Sequence, residues 1–215
     1  MSWKLGVSAA KWEGPQWSAS IALANESEKP LIQIFDGSQQ PVVSVAVTPS
    51  ERHVRHFAAG VPFGEAYVRQ QDLIAVFPEL APWRFGYQID MRVLDTISRE
   101  RLAIEFWLSI QTSLLDSHPQ IELRITGEQF SSVLENIWIS DSNQIGLLIH
   151  PLDKTDCQIE QAEDGIAMCV FGQFMEKGVI RRMRFRLLSS LGPESSSFWR
   201  DRFEEFSESP LPLTT

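Results

Sequence analysis

The sequence predicts an all-β chain: an antiparallel β-sandwich, in its larger form a supersandwich of two big sheets, with a short carboxy-terminal helix. Three observations carry that expectation. Runs of β-branched and aromatic residues, roughly 4 to 10 long and bounded by Gly, Pro, Asn, Asp or Ser, recur about every ten positions. Within several of these runs apolar and polar residues alternate, the mark of a strand with one buried face. Helical periodicity is scarce before residue 190. Parallel strands need long crossovers, usually helices, so these strands are expected to pair antiparallel.

In order, strands are expected at Trp17–Ala24, Leu31–Phe35, Val42–Thr48, Glu65–Arg69, Leu73–Phe77, Tyr87–Leu94, Leu102–Gln111, Gln120–Thr126, Ile137–Ser140, Ile145–His150, Asp156–Glu160, Ile166–Phe171 and Val179–Leu188. Glu128–Glu135 reads equally as strand or short helix, while Asn25–Pro30 and Pro78–Gly86 read as loops. Two hairpins show a register. In the first, Ile89, Met91 and Val93 alternate with Asp90 and Arg92. After a polar turn at Thr96–Arg101, Ile104, Phe106, Leu108 and Ile110 alternate with Glu105, Trp107 and Ser109. One face is core and the other is wetter. The second hairpin turns at Glu163-Asp164-Gly165, where glycine supplies the positive φ of a tight loop. If Glu160 faces Ile166 there, Cys157 faces Cys169. The pair is read as two reduced, buried small hydrophobes, with a redox pair as the alternative. At the end, Ser195-Ser196-Ser197 offers N-cap hydroxyls and Trp199, Phe203 and Phe206 recur at helical spacing, while Pro210 and Pro212 forbid continuation. This predicts a helix over about 196–207, its aromatic stripe packed on a sheet or across an open edge.

The chain of 215 residues is long enough for a sizeable core and is read as one domain, 1–215. Near-average composition, with 13 Phe and 7 Trp, argues against disorder, collagen-like repeats and a coiled coil. A net charge of −9 makes nucleic acid a poor partner, because phosphate binding draws on Lys and Arg. Leu5–Ala10 is too short, and too soon broken by Lys11, for an export signal. The longest apolar run, Ile166–Phe171, falls far short of the roughly 20 residues of a membrane helix. With 2 cysteines, too few for a disulfide framework, the expected setting is the cytoplasm, with no membrane partner.

Familiar catalytic signatures are missing. There is no G-x-G-x-x-G, no P-loop, no G-x-S-x-G elbow and no Cys-x-x-Cys, so neither a cofactor nor a metal is expected. His53 and His56 are three apart and lack the four-residue spacing and internal Glu of a zinc helix. His118 precedes Pro119 and His150 precedes Pro151, which suits loop anchoring better than acid–base work.

Two rows of side chains are the candidate ligand-binding residues. Strand alternation puts Glu65, Tyr67 and Arg69 on one face, a carboxylate, a phenol and a guanidinium within about 13 Å. Trp83, in the aromatic stretch Pro82–Tyr87, is the expected stacking partner for a polyhydroxylated ligand. Arg182, Arg184 and Arg186 likewise share a face, suited to an anion through bidentate contacts or to pairing with Asp90, Glu105 and Glu122. These residues motivate a non-catalytic binding module for a small polar or carbohydrate-like ligand. The alternatives are a structural or protein-partner domain, dimerising through an uncovered sheet edge, and a sugar-modifying enzyme of epimerase or lyase type using a His and a carboxylate.

Overall fold

The computed structural model describes residues 2–23, 32–51, 64–79, 84–94 and 100–210. In chain order the strands are β1 (Lys4–Leu5), β2 (Ala9–Glu13), β3 (Ser18–Ala22), β4 (Ile32–Phe35), β5 (Val43–Glu51), β6 (Glu65–Arg69), β7 (Asp72–Phe77), β8 (Gly86–Val93) and β9 (Arg101–Gln111). They continue with β10 (Pro119–Thr126), β11 (Phe130–Leu134), β12 (Ile137–Ser140), β13 (Ile145–Ile149), β14 (Cys157–Ala162), β15 (Gly165–Phe171) and β16 (Ile180–Ser190). A 3-10 turn, Pro151–Asp156, precedes β14, and one helix, α1 (Ser196–Ser207), follows β16.

Among the described residues these strands form two eight-stranded antiparallel sheets. Sheet A has the order β1-β2-β3-β4-β5-β10-β15-β14, and sheet B the order β11-β12-β13-β16-β9-β8-β7-β6. The sandwich and the carboxy-terminal helix are as the alternation predicts. Alternate side chains of the central strands, such as Ile121, Leu123 and Ile125 from sheet A and Phe106, Leu108 and Phe185 from sheet B, meet in one buried cluster. Phe106 and Phe185 stack there at 4.6 Å. Burying each such side chain contributes roughly 2–3 kcal/mol, so the inner faces supply the bulk of the driving force.

The structure departs from expectation in three places. β1 and β2 were not anticipated: β2 buries only Ala10 and Trp12, too brief an alternation to stand out. The ambiguous stretch after residue 127 is the edge strand β11, which shifts register between Ser132 and Leu134 and buries only Phe130. The β14–β15 hairpin closes one residue tighter than Glu160 facing Ile166 would require. Ala162 pairs with Gly165, so Glu160 opposes Ala167, Cys157 opposes Val170 and Cys169 opposes Gln158. A slip of one residue reverses the face of every side chain. Cys157 therefore points into the core and Cys169 outward, both as free thiols. Among the described residues no helix is long and apolar enough to cross a membrane.

The helix α1 lies on the outer face of sheet B. Ser195 caps it, its Oγ accepting a hydrogen bond from the Phe198 amide at 3.2 Å. Trp199 and Phe206 are fully buried against Ile137, Ile139, Leu148 and Leu188. The helix so covers the β12–β13–β16 part of that face and leaves the rest to polar residues.

Candidate functional site

Cross-strand register arranges the outer face of sheet B beside the helix as three rows over five strands, β6-β7-β8-β9-β16. The first row is Glu65, Val76, Gln88, Ser109 and Arg182; the second Tyr67, Ile74, Asp90, Trp107 and Arg184; the third Arg69, Asp72, Arg92, Glu105 and Arg186. Both candidate rows from the sequence thus belong to one sheet face, at its two sides, four strand spacings or about 19 Å apart.

The third row is a ladder of alternating charge. Arg92 donates from Nε and Nη2 to the two carboxylate oxygens of Asp72, at 2.6 and 2.7 Å. Its guanidinium also lies 4.8 Å from the centroid of the Trp107 ring. The Trp107 indole N–H donates to Glu105 Oε1 at 3.1 Å, and Arg186 Nη2 donates to Glu105 Oε2 at 2.8 Å. Arg186 in turn sits under the Phe206 ring of α1, 4.7 Å from its centroid. A paired, hydrogen-bonded charge tolerates burial that an isolated one does not.

Arg184 and Arg186 are accordingly structural. The Arg184 side chain is 5 % exposed, with its Nη2 2.8 Å from His150 Nδ1 and its Nε 3.4 Å from Asp153 Oδ2. The expected partner Glu105 does pair with this arginine row, whereas Glu122 lies on β10 in the other sheet and cannot. Arg182 differs from both. Ser109 is its neighbour in register, and it forms no ion pair among the described residues.

Beside the ladder's ion pairs, most of row one, Tyr67, Asp90 and Trp107 of row two and Arg69 of row three line a cavity of about 450 Å³ that reaches the strand ends at Gln111 and Ile180 and the Pro78–Glu79 segment beyond β7. Tyr67, Arg69, Gln88, Asp90, Trp107, Ser109 and Arg182 contribute its polar and aromatic lining. Gln88 Nε2 donates to Asp90 Oδ1 at 2.6 Å, and the other oxygen of Asp90 accepts no hydrogen bond among the described residues. Burial pushes the Asp90 carboxyl above the usual carboxylate range, against the Gln88 hydrogen bond and the attraction of Arg69 and Arg182. Glu79, by contrast, is committed to Ser113, accepting from its amide at 2.8 Å and from its hydroxyl at 2.5 Å.

Of the sequence-predicted ligand residues, Tyr67, Arg69 and Arg182 line this cavity. Glu65 shares their face but is not in the lining, Arg184 and Arg186 are buried in pairs, and Trp83 lies outside the described residues. Trp107 and Tyr67 are the outer-face aromatic rings of the lining; of the stretch that contains Trp83, Phe85 turns into the core, while Tyr87 stacks on Phe77 at 4.4 Å and the pair borders the cavity from the core side. Gln88, Trp107 and Ser109 are the site residues that sequence reasoning passed over, although the wetter face of the β8–β9 hairpin displays them all; Asp90, on the same face, is the carboxylate expected to pair with the arginine row. His118 and His150 do not line the cavity, and His53 and His56 lie outside the described residues. Among the described residues no group of three His, Cys, Asp or Glu is placed to hold a metal ion.

No protein-family profile matches the chain, and no curated protein matches it. Among solved structures it is similar to a protein described as a kojibiose phosphorylase from the human microbiome, at 14% identity and a TM-score of 0.50. The likeness covers 94% of this chain and 30% of that one, so the chain spans under a third of that protein's length. At this identity the likeness concerns the fold alone.

Proposed function

We propose that the chain is a binding module that takes a carbohydrate-like ligand in the outer-face cavity of sheet B. The observation that supports it is the cavity lining itself: an aromatic plane, Trp107, held in place by Arg92 and Glu105, beside Gln88, Asp90, Ser109 and Tyr67. A sugar ring presents C–H groups on one face and hydroxyls around its rim. The indole suits the first; the carboxylate, amide and hydroxyls suit the second. The volume lies in the roughly 300–1,000 Å³ range of ligand pockets. A sandwich of the same shape in a protein named for a sugar phosphorylase is compatible with this class of ligand. A cytoplasmic location belongs to the same proposal, supported by the two free thiols.

The test is a titration with a panel of neutral and acidic mono- and oligosaccharides, followed by tryptophan fluorescence and calorimetry. Saturable binding that weakens at least tenfold in Tyr67→Ala or Asp90→Asn is expected; silence across the whole panel removes the proposal.

One observation favours a second reading, sugar modification. Asp90 sits in the cavity, and burial moves its carboxyl above the ordinary carboxylate range, the direction a general acid requires. With His118 and His150 away from the cavity, Asp90 would act with Tyr67 rather than with either of those histidines. Turnover of a bound sugar by the wild type, abolished in Asp90→Asn while binding persists, would replace the non-catalytic reading with this one.

A further inference from the structure

On the outer face of sheet B, Arg92, Arg184 and Arg186 each have an acidic partner, whereas Arg69 and Arg182 have none among the described residues, and both of these line the cavity. The reason is local. Arg69 stands opposite Asp72 in register, but both Asp72 oxygens are occupied by Arg92. Arg182 stands opposite Ser109, which carries no charge. In a chain with 28 acidic and 19 basic residues, acidic partners are plentiful. Two guanidiniums left without one at opposite corners of a single cavity are cations available to a ligand.

Between them lies Asp90, which feels both arginines and has one oxygen that accepts no hydrogen bond among the described residues. A simple anion would satisfy the guanidiniums and meet repulsion from this carboxylate. A neutral sugar would satisfy Asp90 through its hydroxyls and leave the guanidiniums without an anionic partner. A molecule that carries both hydroxyls and an anionic group answers both sets.

Resting on the carbohydrate reading above, we infer that the ligand is an acidic sugar, a hydroxylated ring bearing a carboxylate or a phosphate, whose anion is received by Arg182 while its hydroxyls donate to Asp90, with Arg69 a second cation at the far corner of the cavity. The two anions share the chemistry of bidentate guanidinium recognition.

Calorimetric titrations of the full chain with glucuronate, glucose 6-phosphate, glucose and inorganic phosphate test it, on wild type, Arg182→Gln and Arg69→Gln. Arg182 lies outside the ion ladder and Arg69 stands at its end without an ion pair among the described residues, so unchanged circular dichroism and melting are expected in both variants. At least one acidic sugar should bind about tenfold or more tightly than glucose, the size of one charge-assisted contact, and its preference should collapse in Arg182→Gln and fade with added salt. Whichever of glucuronate and glucose 6-phosphate binds identifies the anion. Glucose binding as well as the acidic sugars, unaltered by Arg182→Gln, would overturn the anion inference and leave the carbohydrate reading intact. Inorganic phosphate binding as tightly as glucose 6-phosphate would overturn the sugar component and with it the carbohydrate reading. Absence of heat with all four ligands would overturn both.

Discussion

Arg92 lies over the indole of Trp107 at 4.8 Å while both of its donating nitrogens are held by Asp72, so one guanidinium ties the aromatic floor of the cavity to a buried carboxylate on the neighbouring strand. Removing it has two consequences. Trp107 loses the cation over its ring, and Asp72, 3 % exposed, is left with a buried unpaired charge. Arg92→Ala is expected to cost about 2–4 kcal/mol in urea denaturation, toward the lower part of the range for broken buried pairs because Arg92 itself is partly exposed. Arg92→Lys keeps the charge but loses the fork, so it should recover only part of that loss. A loss under about 0.5 kcal/mol for the alanine variant, the ordinary scatter of surface substitutions, would show that the ladder does not support the site.

Helix α1 depends on the lack of a side chain beneath it. A Cβ added at Gly146 on β13 would run into the six-membered ring of Trp199, which is 1 % exposed and has no room to withdraw. Gly146→Ala should therefore lift the helix and destabilise the chain by about 1–3 kcal/mol, as overpacking does. Truncating the obstacle is the check. In the double variant Gly146→Ala, Trp199→Leu the two effects should fall short of additive, read as a coupling energy in a double-mutant cycle. Additive losses would mean that the two residues do not meet.

The sandwich was legible because its logic is local: period-two alternation of apolar and polar residues along each strand of the β8–β9 hairpin announces a face, and the 196–207 aromatic stripe announces a helix. The site was legible only in pieces. Strand alternation does place Tyr67 with Arg69, and Arg182 with Arg184 and Arg186, on common faces. Alternation carries no information on which strands lie between two rows, so the arrival of both on one sheet, with Asp90 and Trp107 at its centre, appears only in the topology. Nor does it say what covers a row. Arg182 and Arg184 are two residues apart and chemically identical, yet the 3-10 turn carrying Asp153 buries one and leaves the other beside a cavity.

The hairpin register settles the behaviour of the thiols. Because Cys157 faces the core and Cys169 the outer side of sheet A, they cannot bridge without turning a strand over. Thiol titration should find two free cysteines in native protein prepared without reductant. Burial pushes the Cys157 thiol up to about 12, so it should react only on unfolding. Cys169 is half-buried and receives a hydrogen bond from Gln120, yet burial still raises its thiol, so it should react first but slowly. Loss of both thiols on air oxidation, recovered by reductant with the fold intact, would contradict the register.

His150 makes stability depend on pH. It caps the 3-10 turn with Nδ1, which accepts from the Leu152 amide at 3.3 Å and stands 2.8 Å from Arg184 Nη2. Its ring also meets Phe206 edge-on at 5.3 Å, beneath the end of α1. A proton on Nδ1 would face two donors and a neighbouring cation. Burial, then Arg184, lower the folded-state value below the ordinary 6.5, with Asp153 and Glu105 opposing. The unfolded chain therefore binds this proton first. The stabilisation is fully present above about pH 6.5 and is lost as pH falls through the lower folded-state value, at a slope of up to about 1.4 kcal/mol per pH unit. Asp90 bends the curve the other way: its folded value is raised above 3.8, so its contribution is complete below that pH and is lost as pH rises through the folded value. Denaturation from pH 7.5 down to about 3.5 on wild type, His150→Gln and Asp90→Asn separates the two. His150→Gln should be less stable than wild type at pH 7.5 and should lose less of its stability on acidification, whereas Asp90→Asn should steepen the decline. Parallel profiles for His150→Gln and wild type would mean that the imidazole takes its proton without cost, and that its contacts with Arg184 and Leu152 do not govern how α1 is held.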